Sequence, residues 1–211
     1  MYVLDKIIVL DNVVSETYQT FLENEFTGAM IPWYFKKDAS YNIGNNQYQD
    51  KAAQTTPACG NMFFNIDQGG IITAGLHFLT LPLAFEAFNK ANIKPGYLLR
   101  SRSFLYFPLS EKVRREHDNP HVDSDVSHLV CLYYVNDSDG DTFIFDKTVN
   151  DVHPERDSFN GVEFNVVQRV TPKKGRAVIF DGTTYHASSC PSKDIRCIIN
   201  FNFTHNQSDA G

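Results

Sequence analysis

Residues 162–203 read VEFNVVQRVTPKKGRAVIFDGTTYHASSCPSKDIRCIINFNF and contain four short runs rich in Val, Ile, Phe and Tyr. Polar turns separate these runs, which is typical of consecutive β-strands. Four more runs of the same kind precede them, with no helical pattern of ten residues in between. The predicted strands are 97–107, 117–122, 129–136, 142–146, 162–170, 177–181, 185–188 and 195–203. Eight such strands predict an antiparallel sandwich or barrel, and a double-sheet jelly roll is the natural eight-strand solution.

The N-terminal part of the chain has a different pattern. Residues 6–14 form an apolar, β-branched run that predicts a strand, and Ser15 opens a helical pattern that reaches Phe26. A second helix is predicted over 77–92, with Pro82 near its first turn, because a proline is tolerated there. These helices would cover one sheet of the jelly roll.

The predicted fold class is therefore mainly β with flanking N-terminal helices (α+β). The chain has 211 residues, of which 42% are hydrophobic, so one well-packed domain is expected over 1–211. In this interpretation residues 1–96 supply an N-terminal strand, helices and loops as support. Residues 97–203 form the jelly-roll core.

Charge and composition exclude several classes of protein. The net charge of −6 argues against a protein whose main task is to bind nucleic acid or an anionic membrane. Asp5 and Lys6 interrupt the N-terminal apolar stretch, and no run of about 18 apolar residues occurs, so neither a signal peptide nor a membrane helix is predicted. The four cysteines have no CxxC spacing, which favours reduced thiols. We expect a cytoplasmic protein.

Three residues form a candidate metal site. His121 and Asp123 are two positions apart, so they share one face of a predicted strand. His186 begins a later strand, after the turn and apolar strand of 172–180. Two histidines and one carboxylate are the ligand set of non-haem Fe(II) sites, which leave the opposite positions open. We call His121, Asp123 and His186 the triad.

The last predicted strand adds a candidate anion-binding residue. Arg196 lies ten residues after His186, and a guanidinium can hold a carboxylate with two hydrogen bonds. Arg196, Asn200 and Asn202 share one face of the strand, whereas the other face is apolar. In a jelly roll whose outer face is covered by helices, this polar face can point into a ligand-holding interior.

The order of these motifs resembles the Fe(II)/2-oxoglutarate dioxygenases of the prolyl 4-hydroxylase-like branch. The resemblance covers residues 97–203, and the joint pattern is specific although each piece alone is not. The matching motifs are His-x-Asp at 121–123, LVCLYYVN at 129–136, GDT at 140–142, KGRAVIF at 174–180, His186 and Arg196. The GDT motif departs from the usual Gly-Gly before an acidic residue and Thr, which affects the entrance loops more than the metal site.

The resemblance implies a double-stranded β-helix in which the triad binds Fe(II). It further implies that 2-oxoglutarate is the cosubstrate, that O2 is consumed, and that ascorbate can serve as a reductant. Arg196 would hold the distal carboxylate of 2-oxoglutarate. Tyr134 matches a tyrosine that hydrogen-bonds the same carboxylate in some members, and Tyr106 matches a less constant tyrosine near the cosubstrate.

Hydroxylation of an unactivated C–H bond is the predicted reaction, since the metal-binding carboxylate of Asp123 is present and a halogenase would lack it. A peptidyl proline is the first substrate candidate, and a free amino acid or another small molecule is the alternative. A nucleic-acid demethylase of the same superfamily would want a basic groove and a second arginine beyond Arg196. A cupin-like metal-binding jelly roll without dioxygenase activity would not need Arg196.

Two long segments without a clear period are candidates for substrate-binding loops. They are 33–70 and 149–161, and loops of this length in a compact domain are usually functional. We expect them to flank the open side of the metal site. Their predicted contact residues are Tyr34, Tyr41, Tyr48 and Phe159.

Overall fold

The computed structural model describes residues 6–37, 39, 56–124, 126–153, 159 and 161–206. Two α-helices are present among them, Glu16–Thr27 (α1) and Ala74–Lys90 (α2). The strands are Ile8–Leu10 (β1), Tyr34–Lys36 (β2), Ala58–Asn65 (β3), Gly70–Ile71 (β4), Pro95–Tyr106 (β5), Leu129–Tyr134 (β6), Thr142–Thr148 (β7), Val166–Val170 (β8), Ala177–Asp181 (β9), Thr184–Ser188 (β10) and Arg196–His205 (β11). A 3-10 turn, Ile66–Gln68, joins β3 to β4.

The strands form two antiparallel sheets. The major sheet has the order β1-β9-β6-β11-β5-β3-β2, with β4 paired to β3, and the minor sheet has the order β10-β7-β8. His121 extends the minor sheet through an isolated bridge to His186. This arrangement confirms the predicted double-stranded β-helix, or jelly roll, with its mainly β content.

The two faces of the major sheet have different partners. The outer face packs against both helices in a large apolar cluster that includes Phe26, Phe88 and Phe201. The inner face carries a second cluster that includes Phe104, Tyr134 and Phe180. Because side chains alternate along each strand, the polar residues of β11 that share the inner face are directed between the two sheets.

Both helices begin close to the predicted positions. Ser15 caps α1, and its hydroxyl accepts a hydrogen bond from the backbone N–H of Tyr18 at 3.4 Å. The prediction for α2 is wrong in one respect, because the helix begins at Ala74 and Pro82 therefore lies in its interior. Buried residues on both sides of the proline pack against the sheet, and this packing outweighs the one hydrogen bond that proline cannot donate.

Two predicted strand assignments need correction. The strand expected over 117–122 is reduced to the single bridge of His121, because the preceding residues form turns and bends. The segment 33–70 was expected to be loop, but Ala58–Asn65 is an eight-residue strand of the major sheet. Gly60 and Asn61 break the apolar alternation of this strand, so pairing with β5 stabilises it and its own sequence pattern gives no signal.

The second candidate loop, 149–161, packs on the outer face of the minor sheet where the structure describes it. The Phe159 ring lies 5.8 Å from that of Tyr185, in a cluster with Phe164. Tyr185 and its neighbour His186 point to opposite faces of β10, so Phe159 does not line the metal site. Tyr41 and Tyr48 lie outside the described residues.

None of the helices in the described ranges is long and apolar enough to cross a membrane. The division into a supporting segment 1–96 and a core 97–203 stays a prediction, as does the cytoplasmic location.

Candidate metal centre

The fold brings the three residues of the triad together. One ligand atom from each of them lies within 4.8 Å of the others. The backbones of His121 and His186 exchange two hydrogen bonds of 2.9 Å, so the antiparallel bridge fixes the spacing of the two imidazoles. Asp123 follows two residues after His121 and lies on the same side. Among the described residues this is the one group of His, Cys, Asp or Glu with metal-binding geometry.

Hydrogen bonds set the tautomers of both histidines. Nδ1 of His121 lies 3.1 Å from the carbonyl oxygen of Asn119, and Nδ1 of His186 lies 3.0 Å from that of Thr184. A carbonyl oxygen only accepts, so each Nδ1 carries the proton. In the neutral imidazole Nε2 then presents its lone pair, which is the form that a metal ion binds.

The protonation states of the triad suit a cation. Burial lowers the pKa of His186 to about 4, and the nearby His121 contributes in the same direction. Burial alone would raise the pKa of Asp123, but the charges of Arg102 and Arg100 outweigh it, and the pKa lies well below the ordinary value. At neutral pH His186 is therefore neutral and Asp123 is an anion.

Three side chains donate hydrogen bonds to the Asp123 carboxylate, and a fourth donates to its backbone carbonyl. Its Oδ2 accepts hydrogen bonds from the amides of Asn200 at 2.8 Å and Asn202 at 3.0 Å. Its Oδ1 accepts one from Nη2 of Arg102 at 2.5 Å. Nη2 of Arg100 lies 3.7 Å from Oδ1 and donates to the backbone carbonyl of Asp123 at 3.0 Å. The carboxylate is thus held in place by strands β5 and β11.

Arg196 is fully buried and largely unpaired. Nη2 donates to the hydroxyl of Thr142 at 2.9 Å, while Nε and Nη1 have no hydrogen-bond partner among the described residues. The guanidinium carbon lies 5.1 Å from the ring centre of Tyr106 and 5.8 Å from that of Tyr134. A buried cation with two unused donors is costly, so this site fits an anionic ligand such as a carboxylate.

The two tyrosines beside Arg196 are protonated at neutral pH. Burial raises the pKa of Tyr106 to about 12, and burial also raises the pKa of Tyr134. The Tyr134 hydroxyl donates to Thr142 at 2.8 Å, so in this structure it is engaged within the chain. Tyr106 lines the cleft in front of the triad.

Gly140 makes room for Arg196 at the position where the sequence departs from the Gly-Gly pattern. A Cβ atom at Gly140 would lie 2.9 Å from Cδ of Arg196 and 2.7 Å from the carbonyl oxygen of Ser189. The next residue, Asp141, forms an ion pair with Arg169. The retained glycine therefore serves packing around the guanidinium.

A narrow cleft, partly open to solvent, leads to the triad. It is lined on the major-sheet side by apolar residues, namely Phe104, Val130, Leu132, Phe180 and Ile198. Such walls keep water away from the metal position and strengthen electrostatic interactions within the cleft.

Sequence reasoning missed Arg100, Arg102 and Thr142 as parts of the site. The sequence pattern contains a signal for the arginines. Arg100 and Arg102 share one face of their strand with Tyr106, and Ser101 and Ser103 lie on the opposite face. The hydroxyl of Thr142 joins Arg196 to Tyr134, which no spacing rule predicts. By contrast, His128 is buried outside the triad, with Nδ1 2.7 Å from the carbonyl oxygen of Val126.

The fold is similar to those of several solved oxygenases. The non-haem alpha-ketoglutarate dependent epimerase SnoN from nogalamycin biosynthesis has a TM-score of 0.58 at 14% identity, covering 94% of this chain and 78% of that one. A Trichoplax adhaerens prolyl hydroxylase, solved with a hypoxia inducible factor peptide, has a TM-score of 0.54 at 13% identity, covering 97% and 86%. HygX from Streptomyces hygroscopicus, solved with nickel, 2-oxoglutarate and hygromycin B, has a TM-score of 0.53 at 10% identity, covering 95% and 83%.

No protein-family model matches the sequence, and no curated protein matches it either. The structural neighbours nevertheless confirm the predicted resemblance at the level of the fold. The chain has the double-stranded β-helix fold of the Fe(II)/2-oxoglutarate oxygenases, prolyl hydroxylases among them.

Proposed function

We propose that the protein is an Fe(II)- and 2-oxoglutarate-dependent hydroxylase of an unactivated C–H bond. His121, Asp123 and His186 would hold the iron, and Arg196 would hold the distal carboxylate of 2-oxoglutarate. The observation that carries the proposal is the buried Arg196, whose Nε and Nη1 have no partner among the described residues while the triad lies on the same inner face of the fold. Iron with 2-oxoglutarate supplies the activation of O2 that such a hydroxylation needs.

The chain's own residues would act by binding and positioning. The triad presents two neutral Nε2 atoms and one carboxylate, which leaves a bound Fe(II) with net positive charge to attract an anionic cosubstrate. Tyr106 and Tyr134 pack on the Arg196 guanidinium and restrict its position. The apolar cleft walls exclude water from the reacting atoms.

A cupin-like metal-binding jelly roll is the alternative from a different class. It would account for the triad and for the fold. It would not account for a fully buried guanidinium with two unused donors, because such a group destabilises a protein that never binds an anion there. Arg196 therefore favours the oxygenase.

The substrate is the finer part of the proposal. A peptidyl proline is the first candidate, in line with the resemblance, and the Trichoplax neighbour was solved with a peptide bound. A small molecule or free amino acid is the alternative, and HygX was solved with hygromycin B bound. Ascorbate as a reductant, a cytoplasmic location and a single domain over 1–211 belong to the same proposal.

Anaerobic titration with Fe(II) and 2-oxoglutarate tests the function. Wild-type protein should develop the weak visible charge-transfer band of chelated 2-oxoglutarate with one equivalent of each component. His186→Ala should abolish the band, because one metal ligand is lost. His117→Ala is the matched control and should retain it, since His117 is outside the triad. A wild-type protein that binds Fe(II) but gives no band with 2-oxoglutarate would support the cupin-like alternative.

A further inference from the structure

The inner face of the major sheet continues beyond the metal centre as an open platform. Residues directly opposite each other in antiparallel strands share a face, and the register aligns Arg196 with Tyr106 and Tyr106 with Ala58. Ala58 in turn lies opposite Lys36 of the edge strand β2. The inner face therefore runs without interruption from Arg196 to Lys36.

A second cavity of about 260 Å³, partly open to solvent, lies on this extension. Tyr34, Lys36, Gly60 and Met62 are among its lining residues. Arg102 and Phe104 line it as well, and the same pair lines the cleft at the triad. Arg102 is thus a wall of both spaces, and its guanidinium contacts Asp123.

The side chains of Lys36 and Arg102 both lie beside Phe104. A Cβ atom at Gly60 would lie 2.7 Å from Cε of Lys36, 3.1 Å from its Cδ and 3.3 Å from the Phe104 ring. The Lys36 side chain therefore lies flat across the glycine beside that ring. The Arg102 guanidinium lies 5.0 Å from the centre of the same ring. We call Lys36, Gly60, Arg102 and Phe104 the anion platform.

The charges of the anion platform are only partly compensated by the chain. None of the described carboxylates forms an ion pair with Lys36, and the buried Nε of Arg102 has no hydrogen-bond partner among the described residues. Arg102 shares Asp123 with Arg100, and a metal ion at the triad would draw on the same carboxylate. Two cationic side chains that line one cavity favour an anion within it.

We propose that the anion platform binds an acidic group of the substrate and that the substrate is a small acid, such as a free amino acid. This inference rests on the proposed function and decides between its two substrate candidates. Arg102 contacts Asp123, so an anion held by Arg102 lies close to the metal position. A carboxylate that near to the reacting carbon occurs in a free amino acid, whereas an interior peptidyl proline carries no charge there. A phosphate monoester offers the same chemistry as a carboxylate.

Paramagnetic relaxation of ligand protons tests the platform in the protein loaded with Mn(II) and saturated with 2-oxoglutarate. The probes are matched pairs that differ by one charge, namely L-proline with L-prolinamide and 4-methylpentanoate with its amide, together with isobutyl phosphate. Each acid should bind about tenfold more tightly than its amide, as expected for a charge-assisted contact. The affinity of isobutyl phosphate relative to that of 4-methylpentanoate identifies the acidic group, phosphate or carboxylate.

Variants of the platform separate it from the cosubstrate site. Lys36→Met should reduce the acid-to-amide advantage at least threefold, and Gly60→Ala should do the same by displacing the Lys36 side chain. Lys94→Met removes an exposed lysine that lines neither cavity and should change nothing. Affinities for Mn(II) and 2-oxoglutarate are measured in each variant, so that an effect is assigned to the platform only where these are unchanged.

Equal binding of acid and amide by the wild-type protein would overturn the inference, as would an advantage that survives both Lys36→Met and Gly60→Ala. Loss of Mn(II) or 2-oxoglutarate binding in wild-type protein would contradict the proposed function instead. In that case saturation-transfer NMR of the same acid and amide pairs, without metal, decides whether the platform binds the acids more tightly than the amides.

Discussion

The two ends of the inner face of β11 differ in how their buried charges are hydrogen-bonded. At one end of the inner face of β11, Asn200 and Asn202 donate to Asp123, whose other oxygen accepts from Arg102. At the other end, Arg196 makes one hydrogen bond to Thr142, and two of its nitrogens have no acceptor in the part of the chain that the structure describes. The Asp123 carboxylate is thus fully hydrogen-bonded by described side chains, whereas the Arg196 guanidinium is not.

This difference separates what the fold completes by itself from what it prepares for a ligand. Three donors orient the Asp123 carboxylate in advance, so little reorganisation is needed when a metal binds beside it. The Arg196 guanidinium is rigidly placed between Tyr106 and Tyr134 but lacks an acceptor pair. A dicarboxylate cosubstrate would bind the metal with one end and supply acceptors to Arg196 with the other.

The largest expected effect is the loss of metal binding at the triad, beside the end of β11 that carries Asn200 and Asn202. His186→Ala should reduce iron from about one equivalent to none while the fold is retained, because a site with only three protein ligands depends on each of them. Metal analysis after gel filtration measures this, with circular dichroism to verify folding. Stoichiometric iron in folded His186→Ala protein would remove His186 from the triad.

The pH dependence of the metal-free protein should reveal the buried His186. Its pKa is about 4 in the folded protein and 6.5 in its ordinary state, so the unfolded chain binds more protons between these values. The free energy of unfolding should therefore fall as the pH drops from 6.5 to 4, by up to about 3 kcal/mol at 1.36 kcal/mol per pKa unit.

Urea denaturation across this pH range measures that loss, with His186→Ala as the comparison. The variant should show a smaller pH slope but not a flat one, because burial also lowers the pKa of His128 and of His77. Identical slopes in the two proteins would show that His186 does not titrate as the structure indicates.

A change at Arg196, at the other end of this face, should selectively weaken the binding of the cosubstrate. Arg196→Lys keeps the positive charge but loses the two-pronged geometry, so the affinity for 2-oxoglutarate should fall by about 1.5 to 3 kcal/mol. The affinity for Fe(II) alone should be unchanged, since Arg196 touches none of the triad in the described contacts. Unchanged dependence on 2-oxoglutarate would place the cosubstrate elsewhere.

Local patterns predicted the fold and the triad, but not the residues that depend on strand register. His121 and Asp123 are two positions apart on one strand, and the prediction of the last strand already grouped Asn200 and Asn202 with Arg196. The role of Arg102 emerges only when β5 pairs with β11 and sets it opposite Asn200. Register between distant strands is fixed by packing of the whole sheet, which no short window of sequence contains.

The same reason explains the two errors in the N-terminal half. Strand β3 is held by its pairing with β5, and its own residues include Gly60 and Asn61, which weaken a strand signal. Pro82 looks like a helix boundary in isolation, because the packing that keeps α2 continuous comes from the sheet beneath it. Local preference was overridden by tertiary contacts in both places.

The smallest expected effect is on the free energy of unfolding of the ligand-free protein, measured for a variant at each end of the β11 face. Asn202→Leu removes one of the donors to the buried Asp123 carboxylate, so the free energy of unfolding should fall by about 1 to 2 kcal/mol. Arg196→Met removes a buried cation with two unused donors and should leave stability unchanged or raise it. Addition of 2-oxoglutarate with a divalent metal should then raise the melting temperature of wild-type and Asn202→Leu protein, but much less that of Arg196→Met. If Arg196→Met were the more destabilised variant without ligands, Arg196 would be a structural residue satisfied within the chain, and the contrast between the two ends would fail.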